Sequence, residues 1–336
     1  MTVSVGVIGT GIMGADHVST LHRFVRGAAV TMVADVDLAR AEAVAAALPG
    51  VRATSDPAAL IADDAVEAIV VASHDSTHAD LAIAAVQAGK PVMCEKPLAP
   101  TVPDCLRVME AERAATAGGA APLVSVGFMR RFDPGYLELK AALDARACGA
   151  PRVTHCVSRG VRSGPGATNE VSITQSAIHE FDVMPWLLGA PITAVSWHAP
   201  ASTGPVPGLD DPQVMLLRTA DGVLTTLEVF LNARYGYDIR CEVVGEHGTL
   251  ALGNPARVVA DLEGRRFAAH PPDWRPRFAD AYRLQLQAWI DAVAAGAPPP
   301  LATAAEGLTA IAVAEAVIAS MRDGGRTVAV EVPPLP

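Results

Sequence analysis

The sequence predicts a parallel α/β domain followed by an α+β domain, and two observations carry that prediction. Over roughly the first 120 residues, apolar runs of strand length alternate with helical patterns, the rhythm of βαβ units on a parallel sheet. After about residue 125 the rhythm ends, and several strand candidates alternate apolar with polar residues, as an antiparallel sheet with one covered face does.

In chain order, "VSVGVIG" reads as the first strand and a helix runs through about Phe24. "AVTMVAD" and the helix "LARAEAVAAAL" follow, then the strand "VEAIVVAS" and the helix "THADLAIAAVQAG". "PVMCE" is a short buried strand, "PDCLRVMEAERAATAG" a helix, and "PLVSVGF" closes the series. A helix at 133–146 leads into the strand "PRVTHCVSRG", a loop at 161–171 and a helix carrying His179, which Pro185 is expected to kink. Strands are then expected at "ITAVSWHA", "QVMLLRT", "GVLTTLEVFLNA", "YDIRCEVVGE", "GTLALG" and "ARVVADLEG". Helices at 276–295 and 303–322 and the segment "TVAVEV" complete the chain. The expected division is residues 1–124 for the first domain and 125–336 for the second.

The bulk numbers agree with two such domains. The 336 residues are 51% hydrophobic and only 4% aromatic, as in a core of small aliphatic side chains. A formal charge of −10 argues against nucleic acid and against an anionic membrane surface. No uninterrupted apolar run reaches the roughly 18 residues of a membrane span. The chain opens on a strand, with no charged segment leading into an apolar stretch and cleavage site. Five scattered cysteines with no CxxC pair support neither a zinc site nor a disulfide framework. The expectation is a reduced, cytoplasmic protein without a metal.

"GVIGTGIMGADH" places Gly9, Gly11 and Gly14 in a G-x-G-x-x-G pattern after a strand and at a helix start. That context suits a dinucleotide pyrophosphate: a tight turn, close backbone approach, and a helix N-terminus facing negative charge. The turn residues Gly9, Gly11, Ile12, Met13 and Gly14 are therefore candidate cofactor contacts. The second strand ends at Asp35, where an acid accepts from both ribose hydroxyls and repels a 2′-phosphate, so NAD is expected over NADP. Ser73 and His74 follow the third clear strand, at the carboxyl edge where such sheets bind ligands. His78 is a further cofactor neighbour by position, and neither histidine is assigned to the chemistry.

Glu95, Lys96 and Pro97 follow the short strand "PVMC", at the edge expected to face the nicotinamide. A lysine there holds a substrate oxygen and eases proton loss. In "ITQSAIHEFD", a regular helix would put Gln175, His179 and Asp182 on one face. A histidine titrates near neutrality and suits the proton transfer that must accompany hydride loss from a carbinol.

"GVIGTGIMGADH", "CEKPLAP", "VGFMRRFDPGY", "SAIHEFDVMPWLLG" and "YGYDIRCEVVGEHGTL" together resemble the Gfo/Idh/MocA oxidoreductase family, and within it most closely the inositol 2-dehydrogenases. The likeness spans nearly the whole chain, in order. It implies a Rossmann NAD-binding domain, a C-terminal α+β domain with a large, mainly antiparallel open sheet, and a homo-oligomer, tetramer or dimer, formed through those sheets. It also implies NAD-linked oxidation of one ring hydroxyl of a small-molecule cyclitol or sugar. By the same likeness Lys96 is the catalytic lysine and His179 the acid/base histidine. Arg130, His155, Tyr235, Trp274 and Tyr282 become substrate-side residues, with Tyr237 close enough to Tyr235 to confuse the register. Arg131 is expected to be a solvated or structural charge.

Two positions depart from the family pattern. Gln175 stands where the family typically has Asp, sometimes Asn, and Gln285 stands where an acid usually follows the late tyrosine. An aspartate beside a histidine holds one tautomer and stabilises the cation, and an amide cannot supply that charge. Three explanations stand. Gln175 is a contact tuned to another hydroxyl pattern, or the substrate is an aminocyclitol, deoxy sugar or keto-cyclitol, or the chain is a weak or non-catalytic NAD-binding member.

Overall fold

The structure is a computed structural model that describes residues 2–201, 206–253 and 258–334. Its strands are β1 (Val3–Ile8), β2 (Ala28–Ala34), β3 (Arg52–Thr54), β4 (Ala68–Val71), β5 (Val92–Cys94), β6 (Val124–Val126), β7 (Pro151–Arg159), β8 (Ile192–His198), β9 (Gln213–Thr219), β10 (Leu224–Phe230), β11 (Asp238–Gly245), β12 (Thr249–Ala251), β13 (Val259–Leu262), β14 (Arg265–Ala268), β15 (Ala302–Thr303) and β16 (Val328–Ala329). Its α-helices are α1 (Ile12–Phe24), α2 (Leu38–Ala45), α3 (Pro57–Ala62), α4 (His78–Gln87), α5 (Val102–Ala115), α6 (Pro134–Asp144), α7 (Asn169–Ser172), α8 (Ile178–Leu188), α9 (Trp274–Arg277), α10 (Ala279–Ala295) and α11 (Ala304–Arg322). Ala256 and Arg257, the start of the expected strand "ARVVADLEG", lie outside the described residues.

The first sheet has the order β15-β6-β5-β4-β1-β2-β3. Strands β1 to β6 are parallel, and β15 adds antiparallel to β6. Read from the other edge, the six parallel strands run 3-2-1-4-5-6, the doubly wound order. The strand order reverses between β1 and β4, so the loops after Ile8 and Val71 open on the crevice where such sheets bind ligands. Strands β1, β4 and β5 are buried almost throughout, as expected of strands covered on both faces. Strand β3 and helix α3 were not anticipated from the sequence. Their signal is local: Asp56 caps α3 by accepting from the Ala58 amide, and Pro57 occupies the first turn.

The second sheet has the order β12-β11-β7-β10-β9-β8-β16. Only the β7–β10 pair is parallel; its other pairs are antiparallel. Thr154, Cys156 and Ser158 of β7, with Leu227 and Val229 of β10 and Cys241 and Val243 of β11, form the buried face. Cys156 Sγ lies 3.6 Å from Met184 Sδ, which puts α8 against that face. Strands β13 and β14 pair as a separate ribbon.

The chain divides into two compact units: residues 1–132, 280–311 and 332–336, and residues 133–279 and 312–331. This differs from the single cut after residue 124, and the reason is hydrophobic. Leu286, Trp289 and Ile290 of α10 join Val18 and Leu21 of α1 and Val5 and Val7 of β1 in one core. Helix α11 has the length and apolarity of a membrane span, yet most of it is buried in the protein, with Leu308, Ile311, Val313 and Val317 sealed from solvent. It is a core helix by that measure.

Candidate functional site

In the first unit a cavity of about 570 Å³ opens along the carboxyl ends of β1, β2 and β4. Gly9, Gly11, Asp35, Ser73 and His74 line it, and Val36, Pro57 and Leu81 give it apolar walls. The glycines differ in purpose. Gly9 has φ +90°, and a Cβ there would sit 2.5 Å from the Ser73 amide nitrogen. A Cβ on Gly14 would lie 1.8 Å from the Gly9 carbonyl oxygen. Gly11, the N-cap of α1, faces open space, which leaves its backbone approachable by a phosphate. Ile12 and Met13 form the first turn of α1, with Ile12 largely exposed.

Asp35 is buried at the floor of this cavity. Its Oδ2 accepts from the Thr10 amide at 2.8 Å and the Thr10 hydroxyl at 2.9 Å, and its Oδ1 from the Asp37 amide at 3.0 Å. Burial opposes ionisation, but these hydrogen bonds and the nearby Arg40 guanidinium hold the carboxyl below its usual range. A fixed carboxylate between apolar walls fits an adenosine ribose. Ser73 Oγ lies 2.7 Å from Thr77 Oγ1, and the His74 ring is mostly exposed beside Asp75. His78, by contrast, is buried, with Nδ1 2.7 Å from the Pro97 carbonyl oxygen and Nε2 3.2 Å from that of Ser73. It bridges the loops after β4 and β5.

Lys96 follows β5 and is partly buried. Burial pushes its pKa down and Arg130 adds to this, whereas Glu95 and Asp75 act against it. Arg130 is almost wholly buried in the turn Met129–Phe132. Arg131 pairs with Glu306 at 2.7 Å, a structural charge. Glu95, expected among the cofactor contacts, turns inward: Oε1 is 2.7 Å from His17 Nε2, and Oε2 accepts from the Lys96 amide at 3.1 Å. Tyr282 is buried in this unit and meets the His17 ring edge-on, with centroids 5.7 Å apart.

In the second unit a cavity of about 870 Å³ is lined by Arg162, Gln175, Asn232, Tyr237, Asp273 and Trp274, among others. The Gln175 segment is not a regular helix. Residues Ile173–Ala177 form a π-helical turn between α7 and α8, so the α-helical spacing that aligned Gln175 with His179 is broken by a wider turn. Gln175 and Ser176 reach the cavity wall, and His179, Glu180 and Asp182 are buried on α8. Such π turns are frequent at functional sites, and the composition of "ITQSA" gave no sign of it.

Of the expected substrate residues, Gln175 and Trp274 line this cavity; His179, Tyr235 and His155 of the same unit do not, and Arg130 and Tyr282 belong to the first unit. Tyr235 packs T-shaped against the His270 ring, and its hydroxyl donates to Asp238 Oδ2 at 2.5 Å while accepting from Arg159 Nη1 at 3.1 Å. Burial and the bond to Asp238 raise its pKa, against Arg159. Tyr237 rather than Tyr235 shares the cavity with Gln175 and Trp274. His155 projects from the sheet face away from α8, with Nδ1 2.8 Å from Thr226 Oγ1. Asn232, which the sequence did not single out, is fixed at the cavity wall. It donates to Asp211 Oδ2 at 2.7 Å and accepts from the Ser163 amide at 3.1 Å. The cavity thus offers amide, guanidinium, phenol and carboxylate groups, the pairing a polyol requires.

Two family models match the chain: an oxidoreductase family's NAD-binding Rossmann fold over residues 3–118, and its C-terminal alpha/beta domain over residues 171–330. The chain belongs to the Gfo/Idh/MocA oxidoreductase family. It is 55% identical to inositol 2-dehydrogenase 2 of Paenarthrobacter aurescens, over 97% of this chain and 98% of that one. It is 50% identical to inositol 2-dehydrogenase 1 of Saccharopolyspora erythraea, over 96% of this chain and 95% of that one. Among solved structures, myo-inositol dehydrogenase from Lactobacillus casei, in complex with NAD(H) and myo-inositol, matches with a TM-score of 0.94. That match has 34% identity and covers 100% of this chain and 99% of the other. NAD is the cofactor of the Rossmann unit, in keeping with the residues that line its cavity.

Proposed function

We propose that this chain is an NAD-dependent dehydrogenase acting on a ring CH–OH of a cyclitol, an inositol 2-dehydrogenase-like enzyme. The observation that carries the reading is its likeness, end to end, to proteins of that name; the polar cavity of the second unit suits the same substrate class. NAD, when bound, supplies the hydride acceptor.

The chain's own residues supply the rest. Lys96, its charge opposed by burial and supported by Glu95 and Asp75, holds the reacting oxygen and eases its proton loss. By the family likeness Arg130 is a substrate-side residue of the first unit and His179 the acid/base histidine of the second. Within the second unit's cavity, Gln175, Tyr237 and Trp274 supply the groups that orient a ring. Gln175 favours a second reading within the same chemistry: an amide both donates and accepts where an acid only accepts, which suits an aminocyclitol, a pyranose or a keto-sugar. The partly exposed outer face of the second sheet, with Val153, Val157, Leu216 and Leu224, supports assembly as a homo-oligomer, tetramer or dimer, and the buried free cysteines suit a cytoplasmic setting.

The test is turnover of the purified protein with NAD on inositols, aminocyclitols and pyranoses, and of the ketones with NADH. Reduction of NAD by an inositol supports the reading. Silence in both directions, with NAD binding retained, leaves only an NAD-binding protein.

A further inference from the structure

A buried ionisable pair directly before Lys96 has no task in the mechanism above. His17 is fully buried on α1, and its Nε2 lies 2.7 Å from Glu95 Oε1, across 78 residues of chain. Glu95 is itself 5% exposed. A buried carboxylate is tolerated only with partners, and Glu95 uses both oxygens internally: one on His17, the other on the Lys96 amide. The space around it is closed, since a Cβ on Gly127 would fall 3.1 Å from the Glu95 carboxyl carbon. The rings of His17 and Tyr282 pack T-shaped, with centroids 5.7 Å apart. Neither residue of the pair lines the cofactor cavity.

We propose that His17 is a positioning residue for Lys96: by holding the Glu95 carboxylate in place it fixes the Lys96 backbone and keeps a negative charge beside the Lys96 ammonium. The inference rests on the reading of Lys96 as catalytic. A carboxylate only accepts, so His17 Nε2 carries the proton between them. Removing that donor destabilises the ionised form of Glu95, whose carboxyl sits low despite burial because His17 and Lys96 act on it. A neutral Glu95 no longer supports the Lys96 cation. Of the other charges that act on Lys96, Asp75 favours the cation and Arg130 opposes it; neither changes in the variants below. Lys96 then loses its proton at lower pH, because burial is less opposed.

The chain has three lysines, Lys90, Lys96 and Lys140, so lysine labelled with carbon-13 at Cε gives three resonances whose shifts follow ammonium ionisation. Lys96→Arg identifies the Lys96 signal. The proposal predicts that His17→Ala and Glu95→Gln each lower the Lys96 midpoint by at least about half a pH unit. His17→Gln, whose Nε2 can occupy the place of the ring nitrogen, restores the parental midpoint. A parental midpoint in His17→Ala, or an equal shift in His17→Ala and His17→Gln, overturns it. If His17→Ala does not fold, an unshifted midpoint in Glu95→Gln overturns it equally. Turnover by Lys96→Ala separates the two levels: if that variant stays active, the catalytic reading of Lys96 fails whatever the titrations give.

Discussion

Thr10 closes over Asp35, giving both its amide and its hydroxyl to one carboxylate oxygen at 2.8 and 2.9 Å. The first glycine turn and the end of β2 are thereby locked together, and the charge that meets the ribose is fixed before any cofactor arrives. Asp35→Ser should lower kcat/KM for NAD by about 10- to 100-fold, or ~1.4–2.8 kcal/mol. It should narrow the preference over NADP, because Arg40 lies 3.6 Å from the lost oxygen and can meet a 2′-phosphate. Initial rates with both cofactors check this; equal use of NAD and NADP by the parent contradicts the role given to Asp35.

Lys96→Ala should remove turnover by about 10³-fold or more, while NAD binding, followed by fluorescence titration, stays close to parental. The cofactor cavity is built from the loops after β1, β2 and β4 and does not include Lys96. Loss of NAD binding in this variant would place the lysine in the cofactor site instead.

Gln175 lines the same cavity as Tyr237 and Trp274, so its amide is expected to select the substrate. Gln175→Asp should change the ranking of cyclitols in a rate panel and cost the preferred substrate about 10-fold or more in kcat/KM, since a polar site left unpaired discriminates strongly. An unchanged ranking with faster myo-inositol oxidation would show Gln175 to be a defect in the proton chemistry.

Arg277 and Asp133 form an ion pair at 2.8 Å with both side chains almost buried, and Asp133 also caps α6. Arg277→Met leaves the carboxylate buried and uncompensated, which costs about 3–5 kcal/mol and lowers Tm by on the order of 10 °C. Calorimetry checks it, and a Tm within about 2 °C of the parent contradicts it.

Arg131 and Glu306 give a pH-dependent counterpart. Burial works against the Glu306 carboxylate, yet Arg131 and Thr303 hold its pKa below the ordinary value. A depressed carboxyl pKa stabilises the fold above the unfolded value of about 4.3 and stops doing so as pH falls through the folded value. Arg131→Met should therefore cost about 1 kcal/mol at neutral pH, and its denaturation curve should converge on the parent's in acid. A constant gap down to strongly acidic pH excludes this linkage.

What the sequence made legible was local. The strand, glycine turn and helix around Gly9 to Gly14 are written in adjacent residues, and the acid ending β2 is placed by strand length alone. The return of α10 to the first unit was not legible, because Leu286 and Trp289 carry no mark of which apolar core they enter. Nor was the π turn at Ile173–Ala177, which shifts Gln175 against His179. The choice between Tyr235 and Tyr237 turned on the path of the chain entering β11, and His155 on which sheet face α8 covers. Each depends on packing between segments far apart in sequence.

In the proposed reaction a hydride leaves a ring carbinol carbon for NAD. Carbon-deuterated myo-, scyllo- and D-chiro-inositol, incubated with the protein and unlabelled NAD, test it directly by mass spectrometry of the cofactor. At least one of them is expected to yield reduced nicotinamide carrying deuterium, with a matching inosose. Reduced cofactor without deuterium, or none from any of the three while NAD still binds, contradicts the proposed reaction.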